Sequence, residues 1–258
     1  MTLYTPRNGS PFPAIMPLQS SVPSTLDGSV LQEINCLRLV ARVVSNAAHD
    51  INNALQVIGG SAELLALKST IGPAEQRRIE SIGTQTTRAA TVLDRLSAYT
   101  RGDAADGRVV ADLGELAETA VALRDFTLNR ARIAVTIDRN GSPPHRAGVA
   151  RRSILQVLLN LLVNAEDALK NRRDGSIQIT VVRTGPECRV SVADNGPGIS
   201  PEARVQALEV DTPPALGPDL SGIGLWVSKR IADQHGGRLD ITASESGTSA
   251  TLTLPSLA

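Results

Sequence analysis

Three residue types able to move a group between molecules crowd one short stretch, Ala48-His49-Asp50-Ile51-Asn52-Asn53. A neutral, solvent-reachable imidazole at His49 is a competent nucleophile. Asp50, beside it, can hold or take the ring proton. Asn53, four residues on, lies one turn along the same helix face and can orient an incoming phosphoryl oxygen. Alone, the trio also fits a solvated helix edge.

Three further groups lie downstream. Asn160 and Asn164, four apart, share a face of an otherwise apolar helix. Carboxamides there need a metal, a ligand, buried water or each other as partners. Asp194-Asn195-Gly196-Pro197-Gly198 follows a strand pattern; Gly196 and Gly198 allow a sharp turn and close approach to a ligand. Ser221-Gly222-Ile223-Gly224-Leu225 opens a helix, whose free N–H groups and dipole favour phosphate. Neither the dinucleotide fingerprint nor a Walker-type phosphate loop fits the sequence.

These groups must be carried by two kinds of element. Residues 1–29, with five of the 15 prolines, read as a disordered tail. From Val30 to Leu65, apolar residues recur alternately four and three apart: Val30, Ile34, Leu37, Ala41, Val44, Ala48, Ile51, Leu55, Ile58, Ala62, Leu65. That is an a/d seam. Ser69–Pro73 breaks it, and a second helix repeats the spacing from Ile79 to Thr100. The pair forms an antiparallel hairpin over 30–103. Two hairpins bury both stripes as a four-helix bundle, so a homodimer is expected; a monomeric hairpin packed on the rest of the chain is the other solution. Past a polar linker ending at Arg108, helices (113–123, 153–169, 225–235) and strands (133–137, 177–182, 190–193, 239–243, 250–254) mix without strict alternation. That predicts an α/β sandwich, one sheet under helices, over 109–258.

Composition closes off other classes. The 258 residues allow one or two domains. Lys+Arg and Asp+Glu are 26 each, which argues against a nucleic-acid or anionic-membrane binder. Five aromatic residues leave no base-stacking platform. Cys36 and Cys188 make no disulfide framework, and a reducing, cytoplasmic setting is expected. No apolar run is long enough to span a membrane, and no secretion signal is visible.

The order of the motifs, over about residues 30–258, resembles the sensor histidine kinases of two-component systems. His49-Asp50-Ile51-Asn52-Asn53 is similar to the H-D-F-N-N form of their phosphoacceptor box, and Asn164-Ala165-Glu166-Asp167-Ala168-Leu169 to its usual companion, N-A-R-D-A-M. The resemblance implies a dimeric phosphoacceptor hairpin followed by a Bergerat-type ATP-binding sandwich. It implies His49 as phosphoacceptor, Asp50 as general base and Asn53 as the group positioning the γ-phosphate. Asn164 would coordinate Mg2+. Asn160 would stand where hydrolytic relatives carry a glutamate. Asp194 would bind the adenine amino group, with Gly196, Gly198 and Thr248 around the base. Gly222 and Gly224 would hinge a lid over the phosphates. The expected activity is ATP-dependent autophosphorylation of His49 and transfer to an aspartate of a response-regulator receiver. Either the signal would come from a separate sensor protein or the chain does not sense; composition leaves no nucleic acid or membrane as an expected partner. The segment Ile199–Ser221 departs from the family pattern: it has no Phe, and no Lys or Arg after Arg204. That favours a second reading, a dimeric histidine phosphotransferase with a weak or vestigial ATP-binding domain.

Overall fold

The computed structural model describes residues 27–67, 71–100, 107–139, 145–208, 222–244 and 246–257. Two long helices, α1 (Gly28–Ala66) and α2 (Pro73–Thr100), form the hairpin. The tail expected over 1–29 thus ends before Gly28; its residues 1–26 lie outside the described residues, as do 101–106 of the linker.

The C-terminal half centres on a five-stranded sheet. Its strands are β2 (Ala134–Asp138), β4 (Ser176–Thr184), β5 (Glu187–Asp194), β6 (Arg238–Ser244) and β7 (Gly247–Pro255), in the order β2-β4-β5-β7-β6. Only β2–β4 is parallel. Alternation decides which side is covered: Ile177, Ile179 and Val181 of β4 and Cys188, Val190 and Val192 of β5 are buried, and Leu239, Ile241, Leu252 and Leu254 extend that face.

Three helices, α3 (Leu113–Arg130), α4 (Arg151–Leu169) and α6 (Ile223–Gln234), bring apolar faces to this core. α4 is buried nearly all round from Ile154 to Val163, which explains its continuous apolar run. Asp112 caps α3 by accepting from the N–H groups of Gly114 and Glu115 at 2.7 and 3.2 Å. Two features were missed in the sequence. A separate two-stranded sheet pairs β1 (Val109–Asp112) with β3 (Arg146–Val149), and a short helix, α5, spans Pro201–Leu208. The strands of the small sheet have four residues each, too few to show a period.

The N-terminus of α4 has no side-chain cap of its own. Buried His235 supplies one from a distance: the Ala150 N–H donates to its Nε2 at 3.1 Å, while its Nδ1 donates to the Ile231 carbonyl at 2.7 Å. This pattern requires the neutral ring with the proton on Nδ1. His235→Ala leaves that N–H without an acceptor and is expected to cost about 1–3 kcal/mol, read as a lower urea midpoint at unchanged slope.

Candidate functional site

On α1, His49 and Asn53 are exposed and Asp50 is half-buried. Asn53 Nδ2 donates to His49 Nδ1 at 2.9 Å, as the i, i+4 spacing predicts. The His49 ring is not simply solvated. It leans on Phe126 of α3, centroids 4.5 Å apart and planes tilted by 38°. Nothing in the sequence around Phe126 marked it for this place.

The second feature is a cleft of about 210 Å3 between α4 and the sheet, lined by Asn164, Ala165, Ala168, Asp194, Gly198, Ile199, Ile241 and Thr248 among others. It is smaller than the roughly 300–1,000 Å3 typical for a drug-sized ligand, so it suits a flat heterocycle with the rest of the molecule outside. Asp194 stands at the end of β5 with its Oδ1 accepting from the N–H groups of Gly196 (2.8 Å) and Thr248 (3.4 Å). Burial pushes its carboxyl above the usual aspartate range, and these two bonds only partly offset it. A Cβ on Gly196 would stand 2.7 Å from Asp194 Oδ1, and Gly198 has φ +83° with the Ser244 carbonyl 2.7 Å from where its Cβ would be. Both glycines are therefore needed to shape this wall. Asn195, just before them, serves the scaffold: it accepts from the Ser176 N–H and donates to the Asp174 carbonyl, each at 2.8 Å.

The chemistry-bearing residues thus fall into three places. Asn164, Asp194, Gly198 and Thr248 meet at the cleft, and Gly196 adjoins it through Asp194. His49, with Asp50 and Asn53, does not line it. Asn160 and Gly224 lie in a buried polar cluster instead: Asn160 Nδ2 donates to the Gly224 carbonyl and Ser228 Oγ, both at 3.1 Å, and pairs with Asn35 of α1. Gly224 is small because a Cβ there would meet Asn160 Oδ1 at 3.2 Å. Gly222 caps α6 at φ +86°, a left-handed conformation. Trp226 belongs to the core, with the Arg230 guanidinium 4.9 Å over its ring. Residues 209–221 of the lid segment lie outside the described residues.

Two family models match, in the order that the motifs predict. Residues 39–105 match the His Kinase A (phospho-acceptor) domain, and residues 149–258 match the Histidine kinase-, DNA gyrase B-, and HSP90-like ATPase. The chain belongs to the histidine kinases. It is similar to the C4-dicarboxylate transport sensor protein DctB of Rhizobium meliloti, 32% identical over 234 residues that cover 87% of this chain and 36% of that protein. The sensory histidine kinase/phosphatase NtrB of the same organism is 28% identical, covering 84% of this chain and 59% of the relative. The chain therefore spans between about a third and three-fifths of these relatives' length. Among solved structures, the nucleotide-free catalytic domain of the histidine kinase ThkA is 27% identical with a TM-score of 0.51, covering 57% of this chain and 97% of that domain.

Proposed function

We propose that this histidine kinase transfers the γ-phosphoryl group of ATP to His49 and passes it to an aspartate of a response-regulator receiver. The observation that carries the proposal is the pairing, in one chain, of a slot that suits a flat heterocycle, bounded by Asn164 and Asp194, with an exposed His49 that has Asn53 a turn away. The adenine amino group would donate to Asp194, whose carboxylate is held at the slot wall. For transfer, the Asn53 carboxamide turns from the ring to a phosphoryl oxygen. His49 Nε2 then bonds to phosphorus as the bond from phosphorus to the β,γ-bridging oxygen breaks. With Asn53 turned away, the ring proton shifts through solvent from Nε2 to Nδ1 before the attack; ADP leaves with that electron pair, and Asp50 takes the proton from Nδ1. Positioning and charge neutralisation do the rest.

Mg2+ fits this donor set. Asn164 offers an exposed hard oxygen at the slot, and the described residues hold no cluster of three His, Cys, Asp or Glu. One protein ligand suffices where phosphates and water supply the others. Asn164 would hold the ion, which neutralises phosphate charge.

We place a second copy of the chain on the open seam of the hairpin, where Leu37 and Leu55 are 62% and 54% exposed. Among the described residues no helix is long and apolar enough to cross a membrane. We assign this portion to the cytoplasm, where ATP is available.

Asp194 gives the proposal a pH signature. Its raised carboxyl protonates at a higher pH than the ordinary aspartate value of 3.8. As pH falls through that range the empty protein gains stability from this group, because the folded state binds the proton more tightly, while ATP affinity falls as the acceptor is lost. Asp194→Asn is expected to weaken ATP binding roughly ten- to a hundredfold and to flatten the acid limb, measured by calorimetric titration against pH. Unchanged affinity would remove Asp194 from the base site.

The phosphotransferase reading keeps one support, the absence of Lys or Arg between Val205 and Ser221. Labelled ATP and a labelled phospho-receiver, offered separately to the purified chain, distinguish the two. Acid-labile label from ATP supports the kinase; label from the receiver alone supports the phosphotransferase.

A further inference from the structure

The first half of α1 does not merely lead to His49. Leu31, Leu39 and Val43 are buried with the core of the C-terminal half. Between them sits Asn35, 2% exposed in an otherwise apolar face. Its Nδ2 donates to Asn160 Oδ1 at 3.0 Å, and Asn160 Nδ2 donates back to Asn35 Oδ1 at 3.0 Å. Gln156 Nε2 donates to the same Asn35 oxygen at 2.8 Å and to the Gln32 carbonyl at 3.0 Å. Farther along, Arg42 makes a two-pronged pair with Asp167 of α4, at 3.0 and 3.3 Å. Burial alone would push the Asp167 carboxyl up, but Arg42 and Lys170 outweigh it and hold it low.

Apolar side chains tolerate sliding; reciprocal carboxamides do not. One residue of slip moves a helix by about 1.5 Å and turns it by about 100°, which would break both carboxamide hydrogen bonds and strand buried donors. The cluster therefore fixes one register of α1 on the C-terminal half. In that register His49 is withheld. The ring rests on Phe126 and lies outside the slot lining.

We propose that Asn35 and Asn160 form a carboxamide latch that holds the phosphoacceptor helix in a resting register, and that its release is what frees His49 for transfer. The proposal rests on the kinase reading for the consequence of release, but not for the latch itself. Asn35 lies about 21 Å along the helix from His49, so it acts on register rather than on the reacting atoms. Asn160 is also tied to Gly224 and Ser228, so the latch reaches the start of α6.

Two native thiols report on the latch. Cys36, 8% exposed, lies in the α1 contact with Arg152 Nη2 3.3 Å from its Sγ, whereas Cys188, fully buried, lies in the sheet core. The test is Asn35→Ala in the full chain, with thiol labelling of each cysteine followed by peptide mass spectrometry alongside the initial rate of label uptake from ATP. The expected result is Cys36 labelling about tenfold faster, Cys188 still protected, and phosphorylation several-fold faster. Unchanged Cys36 labelling overturns the latch. Faster Cys36 labelling with unchanged or slower phosphorylation overturns the resting assignment. Should Cys188 also become reactive, the variant has unfolded, and Arg42→Met, at a half-buried surface pair, decides by the same readouts. A wild-type chain that takes no label from ATP fails the kinase reading alone, and Cys36 labelling still decides the latch.

Discussion

His49→Gln is expected to reduce acid-labile label from ATP to background while leaving nucleotide affinity unchanged. Glutamine keeps a polar group of similar reach on α1 but has no nitrogen lone pair able to bond to phosphorus. His49 does not line the slot around Asn164 and Asp194, so removing its ring leaves the slot walls intact. The Phe126 contact is with an exposed side chain, so the loss of stability is expected to be small. Label uptake and calorimetric ATP titration on the same preparation separate the two effects. Residual label in the variant would mean that another residue accepts the group; lost ATP affinity would mean that His49 supports the slot.

The largest effect on stability is expected at Arg124 and Glu166, 2% and 5% exposed. Arg124 of α3 meets Glu166 of α4 through two parallel bonds, Nε to Oε1 at 2.9 Å and Nη2 to Oε2 at 2.5 Å, with its Nη1 buried and unpartnered. Arg124→Met strands a buried carboxylate and is expected to cost about 3–5 kcal/mol. That is a large share of the roughly 5–15 kcal/mol by which a domain is stable. Replacing both partners, Arg124→Met with Glu166→Leu, removes the stranded charge and is expected to recover most of the loss. Urea unfolding of the wild type and the single and double variants reads the cycle. A single-variant cost below about 1 kcal/mol would place the pair with surface ion pairs instead. The pair matters beyond stability, because α3 carries Phe126 against His49 and α4 carries Asn164 at the slot.

Much of this arrangement is legible in the sequence because each part leaves a local trace. His49 and Asn53 are one helical turn apart, and the structure joins them directly. Gly196 and Gly198 signal a wall where side chains cannot fit, and Asp194 ends the strand just before them. The alternation of β4, β5 and β7 marks the buried sheet face.

The parts that escaped are those made by distant residues. The heptad spacing of α1 points to the seam at Val30, Leu37, Val44 and Leu55, which the single chain leaves exposed. A second stripe, Leu31, Asn35, Leu39 and Val43, spaced every four residues, is the one buried against the C-terminal half. Two stripes on one helix mean two partners, and the stronger period conceals the weaker. Asn160 is similar in kind. The cost of burying its amide is readable, but the partner that meets the cost, Asn35, stands 125 residues away. The partner of His235 escaped for the same reason, since its acceptor role toward Ala150 crosses 85 residues.

The most direct measurement is to find where the γ-phosphoryl group goes. The purified chain, incubated with ATP and Mg2+, is examined by phosphorus magnetic resonance and by peptide mass spectrometry under non-acidic conditions. One phosphoramidate on the peptide that carries His49, formed with equimolar ADP, is the expected outcome. Inorganic phosphate released with an unmodified chain, or a phosphoryl group on any other residue, would contradict it.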